Sequence, residues 1–327
     1  MVPGLVHQGR LGTLAWLALA VIPGAALGQG LAVERDKLPG GPAVVWSPKG
    51  DTYLAGGRFG EAAIVERKIE GGEEVRRLKG HEKWVTSLAL VGDGKELVST
   101  SEDGTVLIWR LKDGERLKTM KDHAAPVLCS AVSADGKLLV TGGQDGSARV
   151  FDLRSGKATL AFVGHETIAH DGSRPFVNAV ACSPKGDLVL SAGDDHKVRA
   201  WDLKRGREQF AVGPMSRRAS AVAFSPADPT VWIAGDMGGE LRLGRGKEAR
   251  IVQARGDPIS AVAFTSDGRR AIVGTEEGGV YLLDVGTGAK TAEVRVQSWV
   301  GTLALSRDGR RILVGTFDGL ALLRLGD

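Results

Sequence analysis

The chain is poor in cysteine, proline and aromatic rings: two Cys, 12 Pro and 5% Phe, Trp and Tyr in 327 residues. Two cysteines exclude a disulfide framework. Cys129 and Cys182 each fall in the first apolar strand of a repeat unit, at different register, so buried free thiols are expected. The scarcity of proline excludes a low-complexity chain. No Cys-x-x-Cys pair, haem-attachment motif, phosphate-cradling glycine loop or Gly-x-Ser-x-Gly elbow occurs, so no catalytic motif announces itself and no cofactor is called for. Net charge is only +4, with both signs interspersed. A pI near 9.1 without a basic stripe is a weak argument for nucleic acid.

The long apolar run is confined to the N-terminus. Arg10 is the sole charge before Glu34, Leu11 to Ile22 is apolar, Pro23 breaks the run, and Ala26-Leu27-Gly28 offers small residues for cleavage. This reads as a cleavable signal segment over 1–28, too short to span a bilayer comfortably. Arg-Arg and a cysteine beside the site are missing, so twin-Arg export and lipid anchoring find no support. An exported protein, periplasmic or secreted and without stable membrane insertion after cleavage, is expected.

Glycine, at 47 residues, marks turns that recur. The first turn of each unit ends at Gly50, Gly94, Gly136, Gly186, Asp228, Gly268 and Gly309, a spacing of 40 to 50 residues. Several short strands per unit at such a period is the signature of a propeller blade. In the second unit the strands are expected over Val85–Leu90, Glu96–Ser101, Thr105–Leu111 and Glu115–Lys121, with turns at Gly92-Asp93-Gly94, Asp103-Gly104 and Lys112-Asp113-Gly114. No helical period competes after Gly28. The last unit has strands near Val300–Leu305, Arg311–Val314 and Leu320–Leu325 and lacks a fourth. Leu31–Lys37 is the obvious donor, closing the ring and covering an edge. The expected architecture is all-β: one seven-bladed β-propeller over 29–327, each blade a four-stranded antiparallel sheet.

The Gly-His openings, Asp-Gly turns and closing Trp-Asp resemble the WD-repeat family of β-propellers. Three sets carry the likeness: His81, Ser99, Asp103 and Trp109; His123, Thr141, Asp145 and Phe151; His165, Ser191, Asp195 and Trp201. The resemblance implies that each set is a buried hydrogen-bond chain tying outer strands to the inner one, with Phe151 one donor short. Such sets are structural and not catalytic triads, since a triad needs an exposed serine beside an oxyanion hole. Units five to seven lack the Gly-His opening, and Leu243 and Leu283 stand in the Trp place. These units are expected to rely on apolar packing. In unit one, Phe59 stands where the Asp belongs.

Binding is read from register. The residue before each inner strand is Gly40, Trp84, Pro126, Phe176, Arg218, Pro258 and Trp299. In this fold these ring the channel mouth, and aromatics and Arg are the anchor types of protein interfaces. A second ring on the same face reads Arg58, Glu102, Gln144, Asp194, Asp236, Glu276 and Phe317, rich in carboxylates. An insertion, 167–175, with His170 and Arg174, is expected to project over the mouth beside Phe176. The expected binding residues are therefore Trp84, Phe176, Arg218, Trp299, Glu102, Asp194, Asp236, Glu276, His170 and Arg174. Their partner would be a protein or peptide of basic or mixed charge. Carboxylates at the rim argue against a nucleic-acid backbone. The expectation is a non-catalytic, monomeric scaffold. The alternative is a propeller-based enzyme or a metal or small-molecule binder beside the insertion, where His170, Asp171, Asp194 and His196 could converge.

Overall fold

A computed structural model describes residues 30–57, 61–165 and 175–326. These residues form seven four-stranded sheets in which every neighbouring pair is antiparallel. The alternating, β-branched runs pair in chain order. In blade 2 the strands are Val85–Val91, Glu96–Ser101, Val106–Arg110 and Arg116–Met120. Six blades are built from consecutive strands. In blade 7, Val300–Leu305, Arg311–Thr316 and Gly319–Leu325 are completed by Leu31–Leu38 from the other end of the chain. The ring thus closes as expected, with Leu31 opposite Leu325 and Leu38 opposite Leu320. No helix among the described residues is long and apolar enough to cross a membrane.

The apolar core lies between blades. Each blade buries both faces of its middle strands against its neighbours, as in the cluster joining Val98, Ile108 and Met120 of blade 2 to Val127, Leu139 and Phe151 of blade 3. Small side chains make this approach close. A Cβ added at Gly274 would sit 2.4 Å from Val300 Cγ1 of the next blade.

A directional polar belt runs around the channel. Just past the start of the inner strand in blades 2 to 6, a side chain donates to a carbonyl of the next blade. Thr86 Oγ1 reaches Val127 O at 2.7 Å and Cys129 Sγ reaches Val177 O at 3.7 Å. Asn178 Nδ2 reaches Ala219 O at 3.0 Å, Ser220 Oγ reaches Ile259 O, and Ser260 Oγ reaches Val300 O at 2.5 Å. These bonds satisfy strand-edge carbonyls that face the channel. Both cysteines are free and on neighbouring inner strands, and burial pushes their thiols up to about 12.

Blade 5 departs from the expected register. The turn from its inner to its second strand is bridged from Ser225 N to Val231 O, whereas the equivalent in blade 4 runs from Ser183 N to Leu188 O. One extra residue therefore precedes the second strand, and everything after it shifts by one place. Gly244, opposite Trp232, holds the position that Trp109 holds opposite Leu97 in blade 2; Leu243 does not. The indole has moved across the sheet. A Cβ on Gly244 would lie 1.9 Å from Trp232 Cε2, and Trp232 Nε1 donates to Gly246 O at 2.8 Å. In blade 6, Leu283 does stand in the Trp place, opposite Ala271.

Candidate functional site

The three polar sets form as the resemblance implies. In blade 2, Trp109 Nε1 donates to Ser99 Oγ at 2.8 Å, Ser99 meets His81 Nε2 at 2.8 Å, and His81 Nδ1 meets Asp103 Oδ2 at 2.9 Å. Indole can only donate and carboxylate only accept, so Nδ1–H donates to Asp103 and, with the imidazole neutral, the Ser99 hydroxyl donates to Nε2. Blade 4 repeats it through Trp201, Ser191, His165 and Asp195 at 2.8, 2.8 and 2.7 Å. Blade 3 keeps the two lower bonds, His123 to Thr141 at 2.7 Å and to Asp145 at 3.0 Å, and Phe151 supplies no donor. The glycine before His81 and before His165 also has a steric reason. A Cβ on Gly164 would lie 2.2 Å from Trp201 Cη2.

These carboxylates carry a pH dependence. Burial works to raise Asp103 and Asp145, but hydrogen bonds from His81 and Thr105, and from His123 and Ser147, outweigh it and hold both well below the ordinary value of 3.8. Asp195 is also lowered: against burial stand His165 and Arg199, whose Nη2 donates at 3.0 Å. A carboxylate depressed in the folded state stabilises the fold above its unfolded pKa, and that contribution is lost as pH falls through the folded one. The melting temperature should therefore drop steeply below about pH 4, and Asp103→Asn should flatten the drop. Melts of both proteins across acidic pH check this; a profile identical for the two would contradict the assignment.

Blade 5 has a polar anchor of its own, not apolar packing alone. Asp236 was expected at the rim but is 0% exposed. By backbone pairing the rim place belongs to Met237, whose N–H donates to Arg218 O as Glu102 N–H does to Trp84 O. Asp236 sits where blades 3 and 4 have Gly143 and Gly193, positions where a Cβ would strike the ring of His123 or His165. Blade 5 has no such histidine, and the carboxylate takes that space. It accepts four hydrogen bonds: from Ser216 Oγ and Arg217 N at 2.7 Å, and from Gly238 N and Glu240 N at 2.8 Å.

The strand starts and the turns between second and third strands share one face of the ring, because strand direction alternates within each blade. There the aromatic residues of three positions meet. Trp84 and Phe317 stand edge to face with centroids 5.6 Å apart; Trp299 and Phe317 stack at 6.0 Å with an interplanar angle of 15°. Trp84 belongs to blade 2 and the other two to blade 7, so the contact reaches across blade 1, whose inner-strand start offers Gly40. Trp299 is 41% and Phe317 36% exposed, and Trp84 is half-buried. Phe317 was visible in the sequence as a member of the second ring but not as the hub between two tryptophans.

The other ring members are spread around the mouth. Phe176 is half-buried, and its N–H donates to Asp194 Oδ2 at 3.4 Å. Asp194 Oδ1 accepts from Asn178 Nδ2 at 2.8 Å, so this carboxylate is partly committed to the inner strand. Glu102 is half-exposed and Arg218 exposed. Glu276 is pushed up by burial, opposed by the positive charge of Arg218. Arg58, Phe59, His170, Asp171, Arg174 and the 1–28 segment lie outside the described residues. No group of His, Cys, Asp and Glu among the described residues is arranged to hold a metal ion.

Residues 72–110, 114–152 and 161–202 match the family model for the WD domain, G-beta repeat. Each match begins in or just before the outer strand of one blade and ends with the third strand of the next, and each contains one of the three polar sets. With seven four-stranded blades around them, they support a WD-repeat β-propeller. No curated protein matches the chain.

Proposed function

We propose that this WD-repeat β-propeller holds a protein or peptide at the channel mouth framed by Trp84, Phe317 and Trp299, without chemistry of its own. The observation that carries this reading is the exposed aromatic cluster, assembled from two blades that are not adjacent. Large aromatics half-open to water on a rigid rim are the side chains that anchor interfaces, because they bury much area with little loss of rotamer freedom. Glu102 and Glu276, with Arg218 among them, suit a partner of basic or mixed charge that approaches a monomeric ring. Phe176, with His170 and Arg174 of the insertion that precedes it in sequence, belongs to the same proposed contact set.

Replacing Trp84 and Trp299 together with alanine should abolish partner capture and leave the melting temperature within a few degrees of the parent. Affinity capture from the source's own exported fraction, run beside a thermal melt, checks both halves. Because Trp84 is half-buried, Trp299→Ala with Phe317→Ala serves as a second variant. Unchanged capture by both variants would end this reading. Export belongs to the same proposal, supported by the apolar segment and small residues before Gln29. The exported protein should begin after Gly28 by N-terminal sequencing; a start at Met1 or Val2 would contradict it.

A further inference from the structure

The turns on the face opposite the aromatic mouth carry both signs of charge, an aspartate in every blade and a lysine or arginine in all but the fifth. Between inner and second strands stand Lys49, Lys95, Lys137, Lys185, Arg269, Arg307 and Arg310, two in blade 7 and one in each other blade but the fifth. These turns mostly lean on one another around the ring. A Cβ built on Gly94 would lie 2.5 Å from Pro48 Cγ, and one on Gly309 would lie 2.9 Å from Ser266 Oγ. At Gly50 of blade 1 nothing stands within 4 Å. The circle of turns is therefore open at the seam between blades 7 and 1, where the chain's two ends close the propeller.

A cavity of about 570 Å³ occupies this seam, between the turns of blades 7, 1 and 2. Its floor is Trp46, whose Nε1–H donates to Ala304 O at 2.8 Å and so fixes the indole. The Arg311 guanidinium lies over that ring, 5.0 Å from its centroid. Lys49 and Arg307 stand exposed on opposite rims. None of these three cations makes an ion pair among the described residues. Of the two carboxylates of the lining, Asp93 pairs with Lys95, while Asp308 accepts from Ser306 Oγ at 2.5 Å and Arg310 N at 3.0 Å and is held below its ordinary value by these bonds and by the charges of Arg311 and Arg310. The cavity is thus concave, has an aromatic floor, and gathers three cations, with Asp308 close enough to Arg311 to feel its charge. Blade 4 supplies a comparison. Its turn is also open at Gly186, but Cys182 takes the place of Trp46.

We propose that this cavity binds a small ligand through a carboxylate or phosphate group, gripped by Arg311 with Lys49 and Arg307 closing on the charge from the rims. A guanidinium fork matches either anion in a two-point contact, and stacking on an indole holds the fork in one plane. Positive charge gathered in a cleft raises the local concentration of anions. The ligand's uncharged part rests over Trp46 and Leu305. The site is independent of the aromatic mouth, since the two lie at opposite ends of the channel.

Isothermal titration of the full chain with pyrophosphate and with citrate, separately, tests the site. At least one probe should bind saturably with one site per chain, and the stronger of the two identifies phosphate or carboxylate as the preferred group. Arg311→Gln should weaken binding about tenfold or more, about 1.4 kcal/mol. Should Arg311→Gln fail to fold, the exposed pair Lys49→Ala with Arg307→Ala should produce a comparable loss. Lys185→Ala, at the open turn of blade 4, should leave binding unchanged. The proposal is overturned if neither probe saturates, if the cavity variants bind like the parent, or if Lys185→Ala weakens binding as much as they do.

Discussion

Deletion of residues 30–38 unfolds the propeller. The strand Leu31–Leu38 is the outer edge of blade 7, and among the described residues it joins the two ends of the chain in that sheet. Its loss removes the buried side chains of Leu31 and Leu38, each about 2–5 kcal/mol by analogy with truncated core leucines. It also strips the edge of Gly319–Leu325, whose side chains are nearly all buried, and leaves the Gly326 N–H without the Gly30 carbonyl. Arg35, which donates to Ile69 O of blade 1 at 3.1 Å, goes with it, so the seam to the next blade opens as well. These losses are of the same order as the whole stability of an ordinary domain, about 5–15 kcal/mol. The truncated protein should show no cooperative melt, or one lowered by at least about 10 °C. A melt at the parent's temperature would mean that ring closure does not depend on this strand.

Asp236→Ala should be the most damaging single substitution in blade 5. The carboxylate is fully buried and accepts from one hydroxyl and three backbone N–H groups. Alanine leaves all four donors without a partner, and water has no ready path to them. Breaking a buried charge network of this kind costs on the order of 3–5 kcal/mol. Asn should do intermediate harm: its carbonyl replaces one carboxylate oxygen, but its amide turns a donor toward others. Asp318→Ala, an exposed carboxylate in blade 7, is the control and should shift the midpoint little. Urea unfolding of the three variants reads this directly. Equal midpoints for Asp236→Ala and Asp318→Ala would show that Asp236 is not an anchor.

Much of this architecture was legible from the residues alone. Turn spacing revealed the blade number, and the unfinished last unit pointed to Leu31–Lys37 as its missing strand. The Gly-His, Asp-Gly and Trp positions of blades 2 and 4 named the members of their hydrogen-bond chains residue by residue, through the resemblance to the repeat family. Blade 5 was misread because its first turn is one residue longer. Aligned on Asp228, the sequence put Asp236 at the rim and Leu243 in the Trp place. Backbone pairing puts Met237 and Gly244 there. A signal was present: Trp232 in a second strand with a glycine twelve residues on at Gly244, where only a residue without a side chain leaves room for the indole. Phe317 was undervalued for a different reason. Its worth depends on Trp84 and Trp299 converging across blade 1, and that proximity follows from closure of the ring and not from any local pattern.

The central assertion is that residues from blades 2 and 7 make one contact surface at one end of the channel. A photo-crosslinking amino acid placed at position 299, with a second protein carrying it at position 137 on the opposite face, tests this in the source's exported fraction. Position 299 should yield a discrete adduct with a second polypeptide that disappears when Trp84 is changed to alanine, and position 137 should yield none. An adduct from position 137 alone, or one from 299 indifferent to Trp84, would contradict the account.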